Sequence, residues 1–286
     1  MAERLLVGEA GRLLDFLRGS LPSWKRKTLE QRLREGCVRV NGANVVRPHH
    51  ELRAGDVVQV LPEGEGARPG KAPVGFVLLH ADDELVAIDK PAGLLSVPLV
   101  GRRGRSALAL VREWLSGPGR PARVWPVHRL DREASGVLLF ALSSAARDAL
   151  QESWSEARKE YLAVVEGRPD PPQGLVDQPL WEDAALNVHV GKRPEAKEAR
   201  TRFKTQRTQG ERALLEVEID SGRRHQIRAH LAFLGHPIVG DPRYGTAGPR
   251  MGLHARRLEV THPARVERIA FEAPLPQGFL ELLRAP

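Results

Sequence analysis

The chain has 286 residues, 41% of them hydrophobic, and carries a net charge of +8. That apolar fraction excludes general disorder, and the basic excess fits a polyanionic partner, because Lys and Arg neutralise phosphates and release counterions, although it also fits a merely basic protein. Cys37 is the only cysteine, which excludes an intramolecular disulfide and points to a reducing compartment.

The charge is uneven. Residues 1–60 hold eleven Lys or Arg against seven Asp or Glu, so half of the excess lies in about a fifth of the chain. No apolar run reaches the roughly 18 residues of a membrane span. The stretch Met1 to Phe16 is interrupted by Glu3, Glu9 and Asp15 and does not read as a signal peptide, so a cytoplasmic location is expected.

In chain order, Leu13, Leu14 and Leu17 share helical spacing. Ser23 is placed to cap a second helix that runs through Leu29 and Leu33, and Gly36 is placed to end it. A strand Val38–Val40 leads into Asn41-Gly42, a tight-turn pair, and Val45-Val46 and Val57–Val60 supply further strands around a turn at Gly55-Asp56. Two short helices and a small sheet thus make a module over residues 1–62. Residues 63–74 are rich in Gly, Pro and charge and read as a linker.

Residues 75–286 read as one α+β domain with a mixed, mostly antiparallel sheet. Phe76–Leu79, Leu85–Ile88 and Val137–Phe140 are predicted strands, the last apolar enough to be buried on both faces. Ser143 or Ser144 can cap a helix with a stripe of Ala146, Leu150 and Trp154. Tyr161–Val165 is another strand. Ala213–Ile219 alternates apolar and acidic residues, which suits a half-exposed strand. A helix from about Arg224 to Leu234 carries Ile227, Leu231 and Leu234 on one stripe, with Gly235 as its stop.

Four segments could carry chemistry. The first, His128-Arg129-Leu130-Asp131 through Ser135-Gly136, sits at the mouth of the buried strand, where a rigid, partly desolvated carboxylate can act as nucleophile or base; an ordinary turn Asp is the alternative. The second, Gly222-Arg223-Arg224-His225-Gln226-Ile227-Arg228, opens a helix. There Arg228, at the rim of an apolar stripe, either meets an acid or phosphate or simply snorkels to water. The third is Lys159-Glu160-Tyr161, with Tyr161 a core aromatic by default. The fourth is Lys90-Pro91-Ala92-Gly93, where Lys90 could face a phosphate or a carboxylate. Zinc is disfavoured: His225 and His230 are five apart, not four, and no second cysteine exists. Asp131 and Glu133 could be the paired acids of a glycoside hydrolase, although two residues in a loop have no fixed separation.

Taken together, residues 75–275 resemble the RluA-type pseudouridine synthases. The family pattern His-Arg-Leu-Asp-x-x-Thr-Ser-Gly is met at 128–136 except that Ala134 replaces Thr, and Gly-Arg-x-His-Gln-Ile-Arg-x-His is met in full at 222–230. Lys90-Pro91-x-Gly93, Lys159-x-Tyr161, Gly235 through Asp241 and Leu253-His254-Ala255 also fit. Residues 1–62 resemble the αL RNA-binding motif of a small-subunit ribosomal protein, through Arg12 to Leu17, Lys25-Arg26-Lys27, Val40-Asn41-Gly42 and Gly55-Asp56.

The resemblance implies isomerisation of uridine to pseudouridine in structured ribosomal or transfer RNA, by a monomer that needs no redox cofactor, no metal and no membrane. It implies Asp131 as the catalytic carboxylate, Arg228 as its ionic partner and Tyr161 against the uracil. Arg129 would fill the space left by a flipped base. His128, Lys90, Gly222, Arg223, His225 and Gln226 would bind substrate, and Lys25, Arg26, Lys27, Arg39 and Asn41 would contact RNA. A non-catalytic RNA-binding or ribosome-assembly factor on the same fold is the alternative.

Overall fold

The structure, a computed structural model, describes residues 3–46, 48–62, 75–98, 105–116, 121–265 and 267–284. The linker expected at 63–74 lies outside the described residues. By internal contacts the chain separates into two compact units. One comprises Met1–Lys90, Leu95–Arg129 and Leu138–Ala149, the other Pro91–Leu94, Leu130–Val137 and Leu150–Pro286.

The first unit begins β1 (Glu3–Leu6), β2 (Gly11–Arg12), α1 (Leu13–Ser20), α2 (Arg26–Arg34), β3 (Val38–Val40), β4 (Ala43–Asn44), β5 (Glu51–Leu52) and β6 (Val57–Val60). Four of these strands form an antiparallel sheet in the order β1-β6-β3-β4. Leu13, Leu14 and Leu17 of α1 and Leu29 and Leu33 of α2 bury their side chains with Val38, Val40 and Val58. Burial of such side chains contributes about 1.5–3 kcal/mol each, which exceeds what helix propensity alone supplies to helices of eight or nine residues. The β3–β4 hairpin turns through Asn41 and Gly42, with φ of 50° and 81°, the left-handed pair that a two-residue hairpin requires.

Two sequence expectations shift here. Ser23 lies in a turn, where the Trp24 N–H bonds to the Leu21 carbonyl, so α2 starts later, behind Lys25, with no side-chain cap. Val45 and Val46 are buried but outside any strand, although the Val45 N–H still donates to the Val38 carbonyl of β3 at 2.9 Å. Gly36 does end α2: at φ 64° its N–H reaches the Leu33 carbonyl and the Cys37 N–H reaches that of Arg32.

The same unit continues with the antiparallel pair β7 (Val77–Ala81) and β8 (Leu85–Lys90), then α3 (Ala107–Leu115), β9 (Trp125–Pro126) and β10 (Ser135–Ala141), which starts in the other unit. All seven residues of β10 are buried, as its unbroken apolar run predicts. After it, α4 (Ser144–Glu152) is capped by Ser143, whose Oγ accepts the Ala146 N–H at 3.0 Å.

The second unit contains β11 (Arg158–Glu166), β12 (Gln173–Asp177), β13 (Leu180–Glu182), β14 (Val188–Val190), β15 (Arg200–Gln209), β16 (Arg212–Ile219), α5 (Gln226–Phe233), β17 (Leu253–Thr261) and β18 (Arg268–Glu272). Its sheet runs β12-β15-β16-β11-β17, with β18 also on β17 and every pair antiparallel. The start of β10 adds to β17 in parallel. Ala213, Leu215, Val217 and Ile219 of β16 face Ile227 and Leu231 of α5 in one core, which confirms the alternation read from the sequence. Leu234, expected on that stripe, is instead 38% exposed, because α5 ends at Phe233 and the chain turns away at Gly235.

One contact fixes where the loop before β10 lies. Gly136 has φ 114°, and a Cβ there would run into the carbonyl of Ala255 on β17. Only glycine permits that approach. Its neighbour Ser135 bonds to Nδ1 of the fully buried His254 at 3.0 Å. Among the described residues, no helix is long and apolar enough to cross a membrane.

Burial holds the His254 imidazole neutral, pushing it down to about 4 from the ordinary 6.5. The unfolded chain binds this proton below 6.5 and the fold only below about 4, so the stabilisation is complete above 6.5 and is lost as pH falls between the two. We expect the urea-unfolding free energy to drop by roughly 2 kcal/mol from pH 7 to 4.5 through this group, and His254→Gln to flatten that slope. An unaltered slope in the variant would refute the assignment.

Candidate active site

The loop carrying Asp131 is held from several sides. The Gly93 N–H donates to the Arg132 carbonyl at 2.7 Å, and Arg132 Nε donates back to the Gly93 carbonyl at 3.1 Å. Gly93 has φ 86°, so the glycine of the Lys-Pro-x-Gly segment serves as a backbone clasp on the loop. Just upstream, the Leu139 N–H donates to His128 Nε2 at 3.0 Å. Ala134 is 2% exposed and belongs to the apolar core with Ala163 and Ile227, so the methyl group suits its surroundings without a hydroxyl.

Asp131 faces the first turn of α5. Arg228 Nη1 donates to its Oδ2 at 2.9 Å, and the two side chains are 4% and 18% exposed. Arg228 is therefore a buried cation, not a snorkelling one. Its Nε and Nη2 donate to Asp241 Oδ2 and Oδ1 at 2.7 and 2.8 Å, and Asp241 is completely buried. Burial disfavours the charge on Arg228, but the hydrogen bond to Asp241 and the field of Asp131 outweigh it and hold the guanidinium firmly protonated. Burial likewise opposes ionisation of Asp241, yet Arg228 and the Arg243 N–H bring its carboxyl below the usual range.

The helix start is shaped to allow this. His225 precedes α5 in the left-handed region, φ 50°, a conformation uncommon for a residue with a Cβ. Its Nδ1 lies 3.1 Å from the Tyr244 hydroxyl and its Nε2 lies 3.9 Å from Asp131 Oδ1. Burial lowers its pKa and keeps the ring neutral, against the pull of Asp131.

Tyr161 sits at a register shift in the β11–β17 ladder: Glu160 pairs with Arg257 but Tyr161 with Ala255. Such a bulge can re-aim a side chain, and Tyr161 lies within the influence of Asp131. Burial first, and then that carboxylate, push the phenol up, so it stays protonated and acts as a hydrogen-bonding or packing surface. A desolvated carboxylate with one oxygen engaged by a fixed cation, an aromatic alongside and no full burial can attack an electrophilic carbon or accept a proton. Among the described residues, no group of three or more His, Cys, Asp or Glu is placed to hold a metal ion.

The remaining residues divide. Arg129 and Gly222 are exposed. Arg223 is exposed and reaches the Glu198 carbonyl. Lys25, Arg26 and Lys27 are exposed at the start of α2, with Arg26 paired to Glu30 at 2.8 Å, and Arg39 is half-buried on β3. Others depart from expectation. Gln226 is 3% exposed and commits its amide to Ser221 Oγ, the Arg223 N–H, the Arg200 carbonyl and Thr201 Oγ1, so it braces the loop instead of facing a substrate. Asn41 likewise donates to Asp56 and accepts the Val57 N–H, closing its own turn. Lys90 is wholly buried at the end of β8 and offers no surface cation. Asp241 and Tyr244 were assigned no role from sequence; the conjunction Gly240-Asp241 was the available signal.

Comparison with known proteins shows the family. The family described as RNA pseudouridylate synthase matches residues 84–233. Ribosomal large subunit pseudouridine synthase C of Escherichia coli strain K12 is 34% identical, over 98% of this chain and 94% of that protein. Ribosomal large subunit pseudouridine synthase D of Nitrosomonas europaea is 31% identical, over 96% and 84%. Among solved structures, human RNA pseudouridylate synthase domain containing 4 superposes with a TM-score of 0.59 at 27% identity, covering 72% of this chain and 92% of that one.

Arg228→Met would leave Asp241 buried without its cation. Breaking a buried pair from one side costs about 3–5 kcal/mol, so urea unfolding should shift by that amount. The double change Arg228→Met with Asp241→Leu should recover much of it, and a single variant as stable as wild type would show that the pair contributes nothing to the fold.

Proposed function

The chain belongs to the RNA pseudouridine synthase family, in its RluA-type branch, and on that premise we propose that it isomerises uridines of large-subunit ribosomal RNA with Asp131 as the reacting carboxylate. The observation that carries this reading is the 2.9 Å contact of Asp131 with a buried Arg228, beside Tyr161. The ribosomal substrate is supported by the names of relatives that align over nearly the whole chain.

The reaction breaks the bond from the anomeric carbon to N1 of uracil, turns the base, and joins the same carbon to C5. N1 gains a proton and C5 loses one, so the product has the same atoms as the substrate. No electrons are supplied. What the protein must provide is a carboxylate near the anomeric carbon, and Arg228 fixes one oxygen of Asp131 at 2.9 Å. Tyr161, kept protonated by burial, would pack on the uracil face.

A base inside a folded RNA must first leave its stack, at a cost of a few kcal/mol. Arg129 is exposed, and its planar guanidinium can occupy the vacated space while reaching phosphates. Lys25, Arg26 and Lys27 give residues 1–62 an exposed basic edge for further phosphates.

Tritium release from RNA labelled at C5 of uridine tests the assignment. We expect release with wild type and none with Asp131→Asn at unchanged RNA affinity. Retained release in the variant would refute the role of Asp131, and binding without release by wild type would favour a non-catalytic RNA-binding protein. Carbodiimide mapping of the product distinguishes ribosomal from transfer RNA. Deleting residues 1–62 should weaken RNA binding by about tenfold or more at physiological salt, the range that loss of a few phosphate contacts produces. Unaltered affinity and site choice in the truncated protein would remove that module from recognition.

A further inference from the structure

Arg228 is shared by two carboxylates, Asp131 and Asp241. We propose that Asp241 is a positioning residue. By gripping the Nε–Nη2 edge of Arg228, it leaves Nη1 as the contact to Asp131 and keeps Oδ1 of Asp131 out of the ion pair. This inference rests on the reading of Asp131 as the reacting carboxylate.

A guanidinium facing one carboxylate favours a two-toothed contact that engages both oxygens. Here Asp241 occupies that arrangement, at 2.7 and 2.8 Å, while Asp131 receives a single bond on Oδ2 at 2.9 Å. Asp241 is fixed independently of Arg228. Its Oδ1 also accepts the N–H groups of Arg243 at 2.9 Å and Tyr244 at 3.2 Å. The preceding Gly240 has φ 76°, and a Cβ there would strike the Arg250 carbonyl. The loop thus sets Asp241, Asp241 sets the guanidinium plane, and the plane decides how much of Asp131 is engaged.

The consequence for Asp131 is twofold. Two carboxylates and one guanidinium carry a net negative charge, so the cation's field is divided and the reacting carboxylate retains electron density. Its Oδ1 lies 3.9 Å from the neutral His225 ring, outside the bond to Arg228, and is the oxygen left to meet a nucleotide. Without Asp241, Arg228 would turn to hold both oxygens of Asp131 and quench the group it supports.

The test compares Asp241→Asn with Arg228→Lys and the double variant, reading the single-turnover rate of pseudouridine formation and the RNA Kd separately. Asp241→Asn should slow the reaction by about 10–100-fold, the range found when a group orienting a functional side chain is removed, with Kd within about twofold. Lysine has no fork to orient, so in the Arg228→Lys background the same change should cost less than about threefold, a non-additivity expected only of coupled residues. A folded Asp241→Asn with wild-type rate, a loss that tracks Kd, or an equal loss in both backgrounds would overturn the proposal. If circular dichroism shows Asp241→Asn unfolded, Asp241→Glu replaces it. That variant keeps the charge but displaces it, and should fold and lose about fivefold or more in rate. A folded Glu variant at wild-type rate, or failure of both variants to fold, would reduce Asp241 to a structural role. An active Asp131→Asn would sink the parent reading instead, so the two failures are separable.

Discussion

Arg228 is a buried cation, and a buried charge survives only where anions meet it with good geometry. That requirement ties together parts of the chain far apart in sequence. Asp131 comes from the loop before β10, Asp241 from the loop after α5, and Arg228 from the first turn of α5 between them. The surrounding backbone serves the same end. Gly136 lets β10 approach β17, Gly240 lets the 240–244 loop close on Arg250, and Gly93 clasps the loop of Asp131. Local strain at His225 belongs to this set, because its left-handed backbone turns the chain directly into the helix that carries Arg228.

Catalysis by such a site depends less on unusual reagents than on position. A carboxylate is an ordinary group; what is uncommon is holding one at 18% exposure with one oxygen pinned and the other free of that bond. Preorganisation of this kind lowers a barrier by removing the reorganisation that water would require. The protonated Tyr161 and the neutral His225 add no charge of their own beside Asp131, and Arg228, itself held by Asp241, is the cation in hydrogen-bond contact with it.

Much of the fold was legible in the sequence where one periodicity dominated. The alternation at 213–219, the apolar run at 137–140 and the Asn41-Gly42 turn each appear where they were read. Helix starts were less legible. Ser23 looked like a cap but is consumed by a turn, and α5 begins two residues late because His225 is left-handed. In the site, the pairing of Asp131 with Arg228 followed from family resemblance, not from spacing, since 97 residues separate them. Gln226 and Asn41 were read as ligand contacts because they are polar and lie in motifs. Their hydrogen bonds brace backbone: Gln226 holds the Arg200 carbonyl and Asn41 the Val57 N–H. Asp241 lies at the end of a segment that fits the family pattern, but its role is not legible there, because its partner is thirteen residues away on another element.

The most direct measurement is a crystal structure of the protein with an RNA hairpin bearing an unreactive uridine analogue at its target position. The account predicts an extruded nucleotide packed on Tyr161, with Asp131 Oδ1 about 3–3.5 Å from the anomeric carbon, the separation of a near-attack arrangement, and Arg228 still on Oδ2. A nucleotide bound with its sugar turned away from Asp131, or with Arg228 withdrawn to hold the RNA instead, would contradict it.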